Sequence, residues 1–379
     1  MGTHIALLIV TAVALLKHSV QGDGVNNVKN IDCCQFFPVI DDLLDLFEGP
    51  NTCSEDGALM VRLAYSDAMG IDPMLSGGGA DGSLVTFSAV ELQDPANDGL
   101  DNIIDPVRTL VENHEIEAGD MSHSQISDTN ESLSVQFAAA IALANCPGAP
   151  RVKFMMGRPA ATAPAPIDLV PEPPSSPKEA LMNENLNNID TTTFILERFS
   201  SIGFSPSEVV SLLAAHSIAT ASDIDSIVPG TPLDSTPFIF DTQLYIEVAL
   251  RGFLFTSTGE NQGEVGSAVQ GVLRLESDHN LARDSRTNCF WQSLASNQTA
   301  MQAQFAAAWF KLSLSGHNAT SLTDCSDVIP TPLGITTPPH FPPSLSNDNV
   351  DQACATAAFP TLPTEPGPPL VVQPRQQDD

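Results

Sequence analysis

Positive charge is scarce in this chain: 379 residues carry 15 lysines and arginines against 46 aspartates and glutamates, a formal charge of -31. A phosphate backbone would be repelled rather than neutralised, which excludes a nucleic-acid partner. Aromatic residues are few, with two tryptophans and two tyrosines. Beyond the amino-terminal segment no apolar run is long enough to cross a bilayer, which excludes a membrane partner. Long runs of β-branched residues are missing too, and no internal repeat is visible, so neither a sheet-based fold nor a solenoid is expected. The acidic balance fits a protein that works in acid surroundings, where protonation relieves self-repulsion, and equally a generic solubilising surface.

Hydrophobic residues make up 42% of the chain, ample for a sizeable core and for two domains sharing a ligand cleft. Residues 1–22 hold an apolar run, Ile5 to Leu16, too short for a membrane span and followed by a polar segment ending in small residues. It reads as a cleaved secretory signal, which places the protein outside the cell. Secretion makes the seven cysteines candidates for disulfides, and an odd count leaves one thiol without an intramolecular partner. Sequons at Asn130, Asn297 and Asn318 fit the same compartment.

From Cys33 to about Ser326 apolar residues recur at three and four positions, so the fold is expected to be mainly α. The Pro-rich stretch Pro159–Pro177 cannot continue a helix and marks a crossing between two helical domains, 23–165 and 166–330. Residues 331–379 are rich in Pro, Thr and Ser and read as an extended tail without a core of its own, pinned by Cys354.

The chemistry concentrates in a few segments. Ser205, Pro206 and Glu208 form a helix start with a capping box. Val209, Leu212, Leu213 and His216 then fall on one face, so the imidazole emerges from an apolar stripe near the helix end. Alone, such a histidine is more often a satisfied core residue than a metal or haem ligand. Its neighbours shift the balance. Ser217 follows directly, and Asp234, Thr236, Ile239 and Asp241 alternate hydroxyl, carboxylate and carbonyl oxygens through a turn. Asp67, Gly79, Asp81 and Ser83 form a similar set in a glycine-rich loop, and such hard oxygens suit calcium. Each set alone is weak evidence, because Asp/Ser/Gly loops are usually solvated turns.

Taken together the motifs resemble the secreted fungal class II haem peroxidases, the lignin and manganese peroxidase superfamily. They are RLAYSD at 62–67, GGGADGS at 77–83, His216–Ser217 and DSTP at 234–237. CCQFFPVIDDL, NCPGAPR, GRPAA, LVPEP, NQGEV and SDHNLARDSRTNCFWQS add to them. The resemblance covers Cys33 to about Pro330 and implies a two-domain helical fold with haem b between a distal and a proximal domain. It makes His216 the axial haem ligand, Asp278 the carboxylate that accepts its other ring proton, and Asp223 a contact to a haem propionate. It implies two calcium ions, one held by Asp67, Gly79, Asp81 and Ser83, the other by Ser217, Asp234, Thr236, Ile239 and Asp241. It pairs Cys33 with Cys325, Cys53 with Cys146 and Cys289 with Cys354, and leaves Cys34 over.

Where the family carries an arginine and, four residues on, a histidine, this chain has Arg62 and Ser66. The family histidine takes a proton from hydrogen peroxide and returns it to the leaving oxygen, and a serine hydroxyl is neither base nor acid enough for that. Glu91 and Asn97 match the residues that orient the missing imidazole; a cavity between Ser66 and Asn97 could hold a water. Tyr65 replaces the usual phenylalanine, as a packing aromatic or as a phenol close to the haem. The manganese site keeps one carboxylate, with Glu55, Leu59 and Ser222 at its positions, and the surface tryptophan of lignin-type members falls at Ser211. The expected function is therefore a monomeric haem peroxidase oxidising small phenolic donors with hydrogen peroxide at reduced or altered efficiency, with Arg62, Ser66 and Asn97 at the reacting side. The rival is a haem- and calcium-binding protein that no longer activates peroxide.

Overall fold

A computed structural model describes residues 28–72, 74, 78–114, 131–171, 190–221, 228–256 and 263–375. The expected signal segment and the sequon at Asn130 lie outside them. The first half is built on α1 (Phe37–Leu46), α2 (Glu55–Met69), α3 (Asp101–His114) and α4 (Glu131–Asn145). Ser54 starts α2 by accepting from the Gly57 amide at 3.0 Å, and Glu55 and Asp56 place negative charge at the positive end of the helix. α2 packs along α4, whose run Val135 to Ala144 is buried throughout. Small side chains make that approach possible: a Cβ at Gly57 would lie 3.8 Å from the Ala142 side chain, and Gln136 donates to the Ala64 carbonyl at 3.1 Å. Phe137 of α4 closes an aromatic cluster with Phe36 and Phe154 at ring separations of 4.5 and 5.1 Å.

The second half comprises α5 (Thr191–Ser201), α6 (Pro206–Leu212), α7 (Gln243–Ala249), α8 (Glu276–Leu281), α9 (Asn288–Leu294) and α10 (Gln298–Leu312). Tyr245 of α7 is fully buried; its hydroxyl donates to the Val210 carbonyl at 2.8 Å, and Trp291 donates to its carbonyl at 3.1 Å. These bonds satisfy the polar ends of large core aromatics and tie α6, α7 and α9 into one register. Helix α10 packs on α6 and also touches α2, so it spans both halves. Strand structure among the described residues amounts to three antiparallel pairs of two residues each. They are β1 (Met155–Met156) with β6 (Thr323–Asp324), β2 (Thr220–Ala221) with β3 (Thr231–Pro232), and β4 (Glu264–Val265) with β5 (Arg274–Leu275).

Three disulfides join Cys33 to Cys325, Cys53 to Cys146 and Cys289 to Cys354, and Cys34 keeps a free thiol. Cys53–Cys146 ties the entry of α2 to the exit of α4. The other two close loops that bind the chain ends to the body and so restrict the unfolded chain. The Pro-rich tail is laid against the second half rather than left extended in solvent. Phe341, 1% exposed, stacks on Phe359 at 6.1 Å, and both belong to the main hydrophobic core.

The start of α6 has the expected capping box. Ser205 accepts from the Glu208 amide at 3.3 Å, and the Glu208 carboxylate accepts from the Ser205 amide at 2.7 Å. Lys311 of α10 donates to the same carboxylate. Ser205→Ala should cost about 1 kcal/mol of stability, read from the denaturant midpoint at unchanged slope.

Candidate active site

His216 does not end a continuous α-helix. After Leu212 the backbone tightens into a 3₁₀ segment, Leu213–Ile218, and the histidine sits within it. The ring is fixed by a partner 62 residues on: Nδ1 lies 2.9 Å from Oδ2 of Asp278 in α8, a carboxylate only 1% exposed. Burial alone would lower the imidazole pKa; the Asp278 carboxylate outweighs it and raises the value. The His216 side chain stays 28% accessible. With Nδ1 held by Asp278, the accessible edge is the Nε2 side.

Helix α2 lies against this turn, and Thr220 of β2 donates to the Glu55 carboxylate in the first turn of α2 at 3.2 Å. Arg62 and Ser66 are four residues apart on α2 and therefore neighbours on one face. The Arg62 guanidinium donates to the Ala96 carbonyl at 3.0 Å. Ser66 is 3% exposed, and among the described residues its hydroxyl has no hydrogen-bond partner. Asn97 donates to the Glu91 carbonyl at 2.9 Å and leaves its buried Oδ1 without a partner. Burial pushes the Glu91 carboxyl up to about 7, against the Ala165 amide that donates to it. A small cavity lined by Ser66, Asn97 and Glu91 has room for about one water molecule. Tyr65 packs on Phe199 of α5 at 6.4 Å, and burial keeps its phenol neutral.

The two oxygen sets are also assembled. Asp67 accepts from the Gly82 amide at 3.1 Å and Asp81 from the Ser83 amide at 3.1 Å; Ser83 Oγ is buried without a partner. Burial first, and then the neighbouring Asp81, raise the Asp67 carboxyl well above the usual range. On the other side Asp234 and Asp241 share Thr236, whose hydroxyl lies 3.3 and 3.1 Å from them. Ser217 Oγ lies 3.5 Å from the Ile239 carbonyl and accepts from the Asp241 amide at 3.3 Å. Asp234 Oδ2 is buried without a partner.

Asp223 and Ser222 lie outside the described residues. Three further features bear on the site without being among its expected residues: the strip from Ala165 to Val170, which walls the cavity and runs into the LVPEP stretch; Arg198, which donates to the Leu169 carbonyl at 2.7 Å; and Arg375 of the tail. The strip and Arg375 lie outside any periodic segment; Arg198 lies on α5, but the Leu169 carbonyl it bonds is 29 residues away.

A family described as Peroxidase matches residues 44–297, and one described as Fungal peroxidase extension region matches 300–376. The chain belongs to the peroxidase family. It is 43% identical to Manganese peroxidase 3 of Phlebia radiata over 98% of this chain and 97% of that protein. It is likewise 43% identical to Versatile peroxidase VPS1 of Pleurotus eryngii over 91% of this chain and 88% of that protein. Ligninase C of Trametes versicolor is 40% identical over 95% of this chain and 92% of its own length. This peroxidase is therefore an oxidoreductase that uses hydrogen peroxide, on the helical haem peroxidase fold. No helix among its described residues is long and apolar enough to cross a membrane.

The residues present fit a haem. The Nε2 edge of His216 is accessible and its tautomer is set by Asp278, while the facing helix presents a buried, partnerless Ser66 hydroxyl. They also fit hard cations, since each set contains a buried oxygen with no partner and holds two close carboxylates. Among the described residues no three His, Cys, Asp or Glu side chains converge as a metal site, so the remaining donors would be hydroxyl and carbonyl oxygens.

Proposed function

We propose that this peroxidase is a secreted, calcium-stabilised haem enzyme that oxidises small phenols or similar aromatic donors and activates peroxide slowly. The observation that carries the reading is Ser66: a buried hydroxyl without a partner stands where the acid-base group is needed. Haem b, when bound, supplies the redox chemistry of peroxide cleavage. His216 Nε2 would be its axial ligand, with Asp278 holding Nδ1–H and raising the basicity of the ring. Asp223 would meet a propionate. Arg62 would stabilise the negative charge that develops on the departing oxygen. Ser66 can donate or accept a hydrogen bond but cannot take the proton, so a water between its hydroxyl and Asn97 Oδ1 would have to carry it. Loss of a positioned acid-base group typically costs about 10²- to 10⁴-fold in rate.

Donor choice follows from what the edge of the cleft lacks. Of the positions that hold manganese in relatives, Glu55 is the one carboxylate, Leu59 is apolar and Ser222 is neutral. Ser211 is 1% exposed and cannot relay an electron from the surface. Oxidation of small donors at the haem edge is what remains. Two calcium ions would lie on Asp67, Gly79, Asp81 and Ser83, and on Ser217, Asp234, Thr236, Ile239 and Asp241.

A stopped-flow absorbance scan of the haem-loaded protein with excess hydrogen peroxide tests this reading. A normal Soret band that converts slowly, with turnover of a small phenol, is expected. Fast conversion would overturn the impairment, a Soret band that never responds would favour a non-catalytic haem protein, and no Soret band would sink the haem reading.

A further inference from the structure

The tail carries a buried cation outside the peroxide-activating side. Val372 donates to the Gln270 carbonyl at 2.9 Å beside a parallel bridge between Gln270 and Val371. The Arg375 amide donates to the Gly230 carbonyl at 2.8 Å. Gly271 and Gly230 have φ of +84° and +79°, and a Cβ at either would strike the carbonyl of Val372 or Arg375. Only glycine lets the tail backbone come this close. The result is that Arg375, three residues past Val372, is 6% exposed, with its guanidinium 4.6 Å above the Phe238 ring.

That guanidinium has Nε, Nη1 and Nη2 all buried and, among the described residues, all without a hydrogen-bond partner. Burial lowers its pKa to about 10, and Glu55, Asp234 and Glu48 act on it through space without bonding to it. A buried guanidinium with three empty donors is costly unless an acceptor meets it. Gly230 leads into β3, β3 pairs with β2, and Thr220 of β2 holds Glu55 at the entry of α2.

We propose that Arg375, buried over Phe238 by the docked tail, is a binding site for a carboxylate. The planar fork of Nε and Nη donors matches a carboxylate in two parallel bonds. The carboxylate can come from a propionate of the haem, a source that rests on the haem reading above, or from a free organic acid.

The test compares the holoenzyme with R375M, which keeps a stem of similar length over Phe238 but loses the charge, and with R375K, which keeps the charge but not the fork. Haem transfer from the holoenzyme to excess apomyoglobin and calorimetric titration with malonate are measured for each. Loss of a charge-assisted pair corresponds to about a 10- to 100-fold effect. Faster haem transfer from R375M by that factor, with no malonate binding, identifies the propionate. Saturable malonate binding by the wild type, weakened by that factor in R375M with haem transfer unchanged, identifies a free acid. In either case R375K should fall between the other two. Unchanged haem transfer together with malonate binding that is absent or unaltered would overturn the proposal. A wild-type protein without haem would instead overturn the haem reading and leave the malonate titration to decide whether Arg375 binds a carboxylate.

Discussion

Ser66→His should accelerate the reaction with hydrogen peroxide by about 10²- to 10⁴-fold, the usual worth of a positioned acid-base group. The surroundings favour so large a gain. Position 66 shares a helix face with Arg62, and Asn97 Oδ1 is buried without a partner, ready to accept from an imidazole N–H. Asn97 is itself anchored to the Glu91 carbonyl, so the acceptor is fixed in place. The cavity beside Ser66, with room for about one water, adjoins the position the ring would take. The second-order rate constant from stopped-flow absorbance is the readout. Ser66→Ala is the control and should show no such gain, because it supplies no acid-base group. A histidine variant no faster than the wild type would show that the pocket is defective in more than this residue.

Withdrawal of calcium should weaken the fold, and more so at neutral than at acid pH. A cation present at about 100 times its dissociation constant contributes about 2.7 kcal/mol per site, which chelation removes. The pH dependence follows from the carboxylates left behind. Burial first, then the Asp81 charge for Asp67 and the Asp241 charge for Asp234, hold both carboxyls well above their ordinary range; Asp241 itself is raised to about 6, chiefly by burial. A carboxyl whose folded pKa lies above its unfolded value contributes stability below the unfolded value, and loses it as pH climbs through the folded one. Without the cation the protein should therefore lose stability between about pH 4, the ordinary carboxylate value, and neutrality. With the cation bound, the ionised carboxylates are the favoured form and the trend reverses. Calorimetry with and without a chelator at acid and neutral pH reads this directly. Asp67→Asn should remove part of the chelator effect by disabling one site. A melting temperature indifferent to chelator at every pH would rule out both cation sites.

The sequence by itself determined the elements whose causes are local. The start of α6 was legible because a capping box acts over four residues, and the helical character of both halves because an apolar stripe repeats every turn. Arg62 and Ser66 share a face for the same reason, and most of each oxygen set lies in one short stretch, 79–83 or 234–241. Other features passed through resemblance rather than local physics, above all the pairing of His216 with Asp278 across 62 residues. Tertiary structure alone decided the 3₁₀ winding at His216, since packing tightened a turn that periodicity drew as α-helix. It also placed Ala165 to Val170 against the Ser66 cavity, where irregular backbone has no repeat to read. The tail shows the limit most clearly. Its prolines and hydroxyls suggest an extended segment, yet backbone bonds to Gln270 and Gly230 dock it and bury Arg375. Such docking depends on carbonyls and on glycines with no side chain to obstruct them, and neither leaves a pattern in the order of residues.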